Sequence, residues 1–220
     1  MPVSLPAERP RNIICVGLNY RRHAEESGQP IPVNPILFAK FSNSIIGPGG
    51  EIRLPSFSSQ VDYEAELGVV IGKRASQVSV EDALDHVLGY TCVNDVSARD
   101  VQFADSQWVR GKAIDTFCPW GPHIATTDEI ADPQTLGIRC RVNGETLQES
   151  NTADMIFSVA EIVSFISQGI TLEPGDLIAT GTPEGVGFAR NPAIFLKPGD
   201  VVEIEIDGIG VLSNPVVARS

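Results

Sequence analysis

Glu64 and Glu66 stand two residues apart, with Asp62 two residues before them, at the head of the apolar run Leu67-Gly68-Val69-Val70-Ile71. Side chains in an extended chain alternate between faces, so this spacing predicts that all three carboxylates point the same way. Like charges crowded into a half-buried place are costly to ionise unless a cation neutralises them, and a divalent ion is the simplest remedy. The next acid at the end of an apolar segment is Asp95, in Tyr90-Thr91-Cys92-Val93-Asn94-Asp95; a second strand beside the first would supply it as a third oxygen ligand. Such an all-oxygen set is hard, which favours Mg²⁺, with Mn²⁺ or Ca²⁺ as substitutes, over zinc. The competing reading of a lone Glu-x-Glu is a solvated strand edge. The direct passage into a core-like strand weighs against it.

Other residues offer complementary chemistry. His23 and Glu26, three apart, share one face of a short helix, where the carboxylate can orient the imidazole and raise its basicity. Lys112 lies in the polar turn Trp108-Val109-Arg110-Gly111-Lys112; in isolation it reads as a solvated lysine, but a fixed ammonium beside a metal would stabilise a negative oxygen formed at a carbonyl. Gln102 and Arg99, on one face of a helix begun at Ser97, can assist it, with Arg99 tipping towards a structural ion pair. The turn Thr180-Gly181-Thr182-Pro183 follows a core strand, and its hydroxyls and backbone N–H groups, Thr182 included, can grip a substrate carboxylate; by itself it is a weak motif.

These residues need a frame. Strands are predicted at 12–16, 36–41, 62–72, 90–95, 177–180 and 201–206. Short helices are predicted at 20–27, at 80–88 after the capping-box pattern Ser79/Asp82 and stopped by Gly89, at 97–104, and after the Ser158/Glu161 pattern. Asn143-Gly144 signals a hairpin, and Pro119 to Pro122 reads as a break in the chain. Strands and hairpin connections dominate, so the class is mostly β with short helices (α+β), sheets folded on one another with the site on an open face. The helix over 20–27 has a thin apolar stripe between Gly17 and Gly28, which suggests a segment that opens and closes cheaply over a bound acid.

The chain has 220 residues with 42% hydrophobic content, enough for one good core, and is read as an N-terminal arm over 1–11 and a single catalytic domain over 12–220. A formal net charge of −12 leaves no basic stripe for nucleic acid or an anionic membrane. Cys15, Cys92, Cys118 and Cys140 are far apart without a C-x-x-C pair, as expected of reduced core residues in a cytoplasmic protein. The polar, proline-bearing N-terminus carries no signal-like apolar region, and no apolar run approaches membrane-spanning length.

A series of motifs, in order along nearly the whole chain from Asn12 to Val211, resembles the fumarylacetoacetate hydrolase family. The series is Gly17-Leu18-Asn19-Tyr20 with His23, Leu37-Phe38-Ala39-Lys40, Glu64-Ala65-Glu66-Leu67, Asn94-Asp95-Val96-Ser97-Ala98-Arg99-Asp100-Val101-Gln102, Gly111-Lys112 and Thr180-Gly181-Thr182-Pro183-Glu184-Gly185-Val186-Gly187. It is similar to the short, single-domain branch with acylpyruvate hydrolases and oxaloacetate decarboxylases. The resemblance implies a mixed β-sandwich roll of the C-terminal domain type, a homodimer, and Mg²⁺ held by Glu64, Glu66 and Asp95. It implies that His23, with Glu26, activates water, and it places Lys112 in the pocket. Larger relatives have an additional N-terminal domain that can supply a fourth acid; without it the ion is expected to be more open and long substrates less suited. The expected activity is hydrolysis of a carbon–carbon bond in a 3-acylpyruvate-like 2-oxo acid of the fumarylpyruvate or acetylpyruvate type. Oxaloacetate decarboxylation or tautomerisation and 2-hydroxyhepta-2,4-diene-1,7-dioate isomerisation use the same metal-enolate chemistry. A non-enzymatic metal- or acid-binding module is the alternative from another class, but has no use for His23 and Lys112.

Overall fold

The computed structural model describes residues 3–5 and 9–218. Of the expected N-terminal arm, residues 1–2 and 6–8 lie outside the described residues, as do 219–220 at the other end. In chain order the strands are β1 (Ile13–Gly17), β2 (Ile36–Lys40), β3 (Ile45–Ile46), β4 (Ile52–Leu54), β5 (Val61–Asp62), β6 (Ala65–Ile71) and β7 (Val87–Asn94). They continue as β8 (Ser97–Ala98), β9 (Cys118–Thr126), β10 (Gly137–Val142), β11 (Glu145–Asn151), β12 (Leu177–Ala179), β13 (Val201–Ile206) and β14 (Gly210–Ala218). Four short helices interrupt them: α1 (Arg21–Glu26), α2 (Arg99–Ala104), α3 (Val109–Lys112) and α4 (Val159–Ser167).

A seven-stranded mixed sheet runs β2-β1-β12-β6-β7-β9-β3, and a five-stranded sheet runs β11-β10-β13-β14-β4. The inner strands of the second sheet lie against β6, β7 and β9 of the first, which is the expected arrangement of sheets folded on one another. Between them sits the main core, with Leu67, Val69, Cys92, Ile138, Ile204 and Leu212 all buried. The opposite face of the large sheet is buried too, through Ile13, Cys15, Val70, Val93 and Leu177. Covering on both faces explains why β6 reads as an unbroken apolar run rather than an alternation. All four cysteines are free and buried, one each in β1, β7, β9 and β10.

Local signals mostly hold. Asn143 and Gly144 take the positive φ values of 53° and 82° that a tight hairpin between β10 and β11 needs. Ser158 and Glu161 form a full capping box on α4. Two expectations differ. The helix expected over 80–88 is only a single turn of 3₁₀ helix at Ala83–His86: Ser79 does bond Asp82, but β7 begins already at Val87. Gly89 is not a helix stop. It lies inside β7, and it is glycine that fits there because a Cβ would come within 2.2 Å of the Ala125 carbonyl oxygen on β9. Gly89→Ala is therefore expected to cost about 1–3 kcal/mol by overpacking, read as a lower urea midpoint at unchanged m-value. The prolines 119 and 122 do not break the chain either. They lie in β9: Pro122 falls where the strand's pairing with β7 shifts register between Tyr90 and Cys92, and irregular pairing is where a strand accepts proline, while Pro119 lies opposite Ile46 of the two-residue strand β3.

Candidate active site and metal centre

The antiparallel pairing of β6 with β7 sets Ala65 opposite Asn94 and Glu66 opposite Val93. Glu64 thus stands just before one strand and Asp95 just after its neighbour, locked by Asp95 N–H donating to the Glu64 carbonyl (3.0 Å) and Glu64 N–H donating to Asn94 Oδ1 (3.0 Å). One oxygen from each of Glu64, Glu66 and Asp95 lies within 4.8 Å of the others, and all three residues are buried. Asp62 departs from the expected array. The chain leaves the strand between β5 and β6, and Asp62 turns to Arg99 Nε (2.9 Å) and the N–H groups of Gly187 (2.8 Å) and Phe188 (3.1 Å).

The cations around the three carboxylates are distributed unevenly. Lys112 Nζ bridges Glu64 Oε2 (2.6 Å) and Asp95 Oδ2 (2.8 Å), and Arg99 Nη2 pairs with Glu64 Oε1 (2.6 Å). Burial pushes Glu64 up, but Arg99 and Lys112 outweigh it and hold its carboxyl at about 2. Burial pushes the Glu66 carboxyl up as well, Asp95 and Glu64 add to it, and Lys112 with the Gly181 N–H (2.9 Å) only partly offsets this, leaving Glu66 well above the usual carboxylate range. Lys112 itself is raised because Asp95 and Glu64 outweigh its burial, so it stays charged. The donor set fits a divalent ion: three hard oxygens converge, and one of them lacks a positive partner that such an ion supplies.

His23 Nδ1 lies 3.2 Å from Glu26 Oε2, and Glu26 Oε1 accepts from Gly185 N–H (2.9 Å). The carboxylate is thereby fixed at both oxygens. It faces Nδ1, which leaves Nε2 as the imidazole's working nitrogen. Helix α1 is further tied to the 180–187 loop by Arg22–Glu184 (3.3 Å). His23, Glu64, Glu66, Arg99, Gln102, Lys112 and Thr182 line one cavity of about 400 Å³. Gln102 Oε1 accepts from Arg99 Nη1 (3.0 Å), and Thr182 Oγ1 accepts from Gln148 Nε2 (2.9 Å), which leaves the Thr182 hydroxyl proton to donate elsewhere. Thr180 is not available to a ligand, since its hydroxyl donates to the Leu67 carbonyl (2.8 Å). For Arg99 the ion-pair reading holds, with Asp62 and Glu64 as its two carboxylates, while the residue also lines the cavity.

Three residues that organise this centre, Lys40, Asn19 and Gln148, were not singled out by sequence for it, and Asp62, expected among the converging carboxylates, serves it in another way. Lys40, buried at the end of β2, pairs with Asp95 Oδ1 (2.6 Å) and donates to the carbonyls of Val96 (3.0 Å), Phe117 (2.8 Å) and Lys112. A lysine closing an apolar strand was the available signal. Asn19 donates to the Thr180 carbonyl (2.7 Å), Gln148 links Ala65 N–H (2.9 Å) to Thr182, and Asp62 secures Gly187. Lys40→Met leaves Asp95 Oδ1 and three carbonyls without this donor, and is expected to cost about 3–5 kcal/mol of stability in chemical denaturation.

Residues 12–217 match the family described as fumarylacetoacetate (FAA) hydrolase C-terminal. The chain belongs to the fumarylacetoacetate hydrolase family. It is 53% identical over 214 residues to a mitochondrial oxaloacetate tautomerase of Xenopus laevis, covering 96% of this chain and 67% of that protein. Among solved structures, a 2-hydroxyhepta-2,4-diene-1,7-dioate isomerase of Mycobacterium marinum matches with TM-score 0.85 and 46% identity, over 96% of this chain and 76% of that one. A 5-carboxymethyl-2-hydroxymuconate delta-isomerase of Mycobacterium smegmatis matches with TM-score 0.87 and 44% identity, over 99% and 83%. The fold of the fumarylacetoacetate hydrolase C-terminal domain is therefore that expected, and the chain is of an enzyme family. The activities named for these three proteins are tautomerisation and isomerisation, while another solved relative, of Exiguobacterium antarcticum and 44% identical, is named a fumarylacetoacetate hydrolase. The tautomerase is named mitochondrial, which does not support a cytoplasmic placing. No helix among the described residues is long and apolar enough to cross a membrane.

Proposed function

We propose that this chain uses a divalent cation, Mg²⁺ in the first instance, held by Glu64, Glu66 and Asp95, to interconvert the keto and enol forms of a small 2-oxo acid such as oxaloacetate. The observation that carries the reading is that His23, paired with Glu26, lines the same cavity as two of the three converging carboxylates. A bound cation supplies Lewis-acid withdrawal of electrons from a keto oxygen, which acidifies the neighbouring C–H. His23 Nε2 takes that proton, Glu26 stabilises the imidazolium, and the proton is returned at oxygen, so no second substrate is consumed. Lys112 faces the oxygen on which negative charge develops, and Thr182 with Gln102 holds the substrate carboxylate. Arg99 keeps Glu64 ionised and in place.

Hydrolysis of 3-acylpyruvates is the second reading. It is favoured by Lys112, whose ammonium has three donors of which two are committed to carboxylates, leaving one for an oxyanion. Following oxaloacetate enol–keto conversion and pyruvate release from acetylpyruvate in parallel, with Mg²⁺, separates the two. Conversion of the first without release from the second supports the tautomerase; pyruvate release at comparable kcat/KM replaces it with the hydrolase. The family resemblance supports a homodimer, which sedimentation at micromolar concentration tests.

A further inference from the structure

The cavity has two chemically distinct ends. Its charged end is the buried set around Glu64 and Glu66. Outward from there, each of the two cations is backed by an aromatic ring and each ring by another. Lys112 Nζ lies 5.1 Å from the Phe38 ring centroid, and Phe38 packs edge-on against Trp108 at 5.4 Å. Arg99 Cζ lies 4.5 Å from the Phe188 centroid, and Phe188 packs edge-on against Phe103 at 5.3 Å. Exposure rises along these chains: Lys112 and Arg99 are buried, Phe38, Trp108 and Phe188 are half-buried, and Phe103 is 57% exposed. Trp108 is held in the wall by Gly17, where a Cβ would come within 2.4 Å of the indole.

Among the described residues that line the cavity, Lys112 and Arg99 are the lysines and arginines, and both are engaged by carboxylates at the charged end. Ser27 and Gln29, the remaining polar lining residues away from that end, are uncharged. A carboxylate at the far end of a substrate would enter an aromatic sleeve without a counter-ion, in a protein of net charge −12. The volume of about 400 Å³ also exceeds what a four-carbon acid fills.

We infer that the preferred substrate carries an uncharged, apolar or aromatic group beyond its 2-oxo acid head, and that diacids of the same length are disfavoured. This rests on the proposed function for the head group; within that reading it makes oxaloacetate, itself a diacid, a poorer substrate than an aryl or alkyl 2-oxo acid, and it departs from the di- and tricarboxylate named for the two solved relatives.

The test pairs 2,4-dioxo-4-phenylbutanoate with 2,4-dioxoheptanedioate, which share a head and differ at the tail. For the Mg²⁺-supplied wild type, both kcat/KM for conversion and Kd by calorimetry are measured. The aryl acid is expected to lead by about tenfold or more, the gain of burying one ring, with the difference carried by KM and Kd. Phe103→Lys, at an exposed position that tolerates the change, is expected to shrink or reverse the ratio by supplying a cation at the mouth. Equal or better handling of the diacid by the wild type overturns the inference and leaves the proposed function standing. Absence of turnover with both acids, alongside a tenfold Kd preference for the aryl acid, overturns the proposed function while supporting the inference. Failure to bind either overturns both.

Discussion

Glu66→Gln is expected to lose metal affinity by about a hundredfold or more and to lose turnover with it, while the metal-free protein becomes more stable. The two effects have one cause. Ligand charge count sets affinity for a hard cation, so removing one of three carboxylates weakens the site severely. In the metal-free protein that same carboxylate is buried beside two others and raised well above its ordinary value. A carboxyl raised in the folded state contributes stability that is complete below the unfolded value near 4.5 and is lost as pH rises through the folded one. Glutamine carries no such penalty, so the metal-free variant is more stable than the wild type at neutral pH. Urea denaturation in chelator across pH 4–8 should show the wild type falling relative to Glu66→Gln as pH rises. Metal affinity of the wild type has the opposite slope, since the cation must displace a proton from Glu66. Glu64, held at about 2, stays ionised throughout that range.

His23→Ala is expected to lower kcat by about 10²–10⁴, the usual contribution of a positioned general base, while the metal dissociation constant stays within about threefold. The separation follows from geometry: His23 bonds Glu26 and none of the three converging carboxylates. Glu26→Gln should fall between wild type and His23→Ala, because it removes the imidazolium's counter-charge but keeps an acceptor for Nδ1. A wild-type kcat in His23→Ala would remove the proposed base. A parallel loss of metal would recast the histidine as part of the metal centre.

Much of this centre was legible in the sequence because its three carboxylates lie at strand ends. Periodicity of two and the passage from Glu66 into Leu67–Ile71 place two of them, and a neighbouring strand ending at Asn94 places the third. His23 and Glu26 were legible as a helical i,i+3 pair. Asp62 was misplaced because alternation holds only while the strand is continuous, and the chain leaves it after β5. Lys40, Gln148 and Asn19 act through contacts with residues 55, 83 and 161 positions away, to Asp95, Ala65 and Thr180, and no local pattern records such distant pairings. Gly89 was misread as a helix stop for the same reason: the carbonyl that forbids a side chain there lies on β9.

The most direct measurement is an anomalous difference map from crystals grown in manganese, which replaces magnesium and scatters strongly. The expected result is one peak per chain at about 2.0–2.6 Å from an oxygen of each of Glu64, Glu66 and Asp95, with the Lys112 ammonium drawn away from its bridge between two of them. A peak elsewhere, or Glu64 and Asp95 still bridged by Lys112 with manganese in excess, would contradict a cation at the heart of this site.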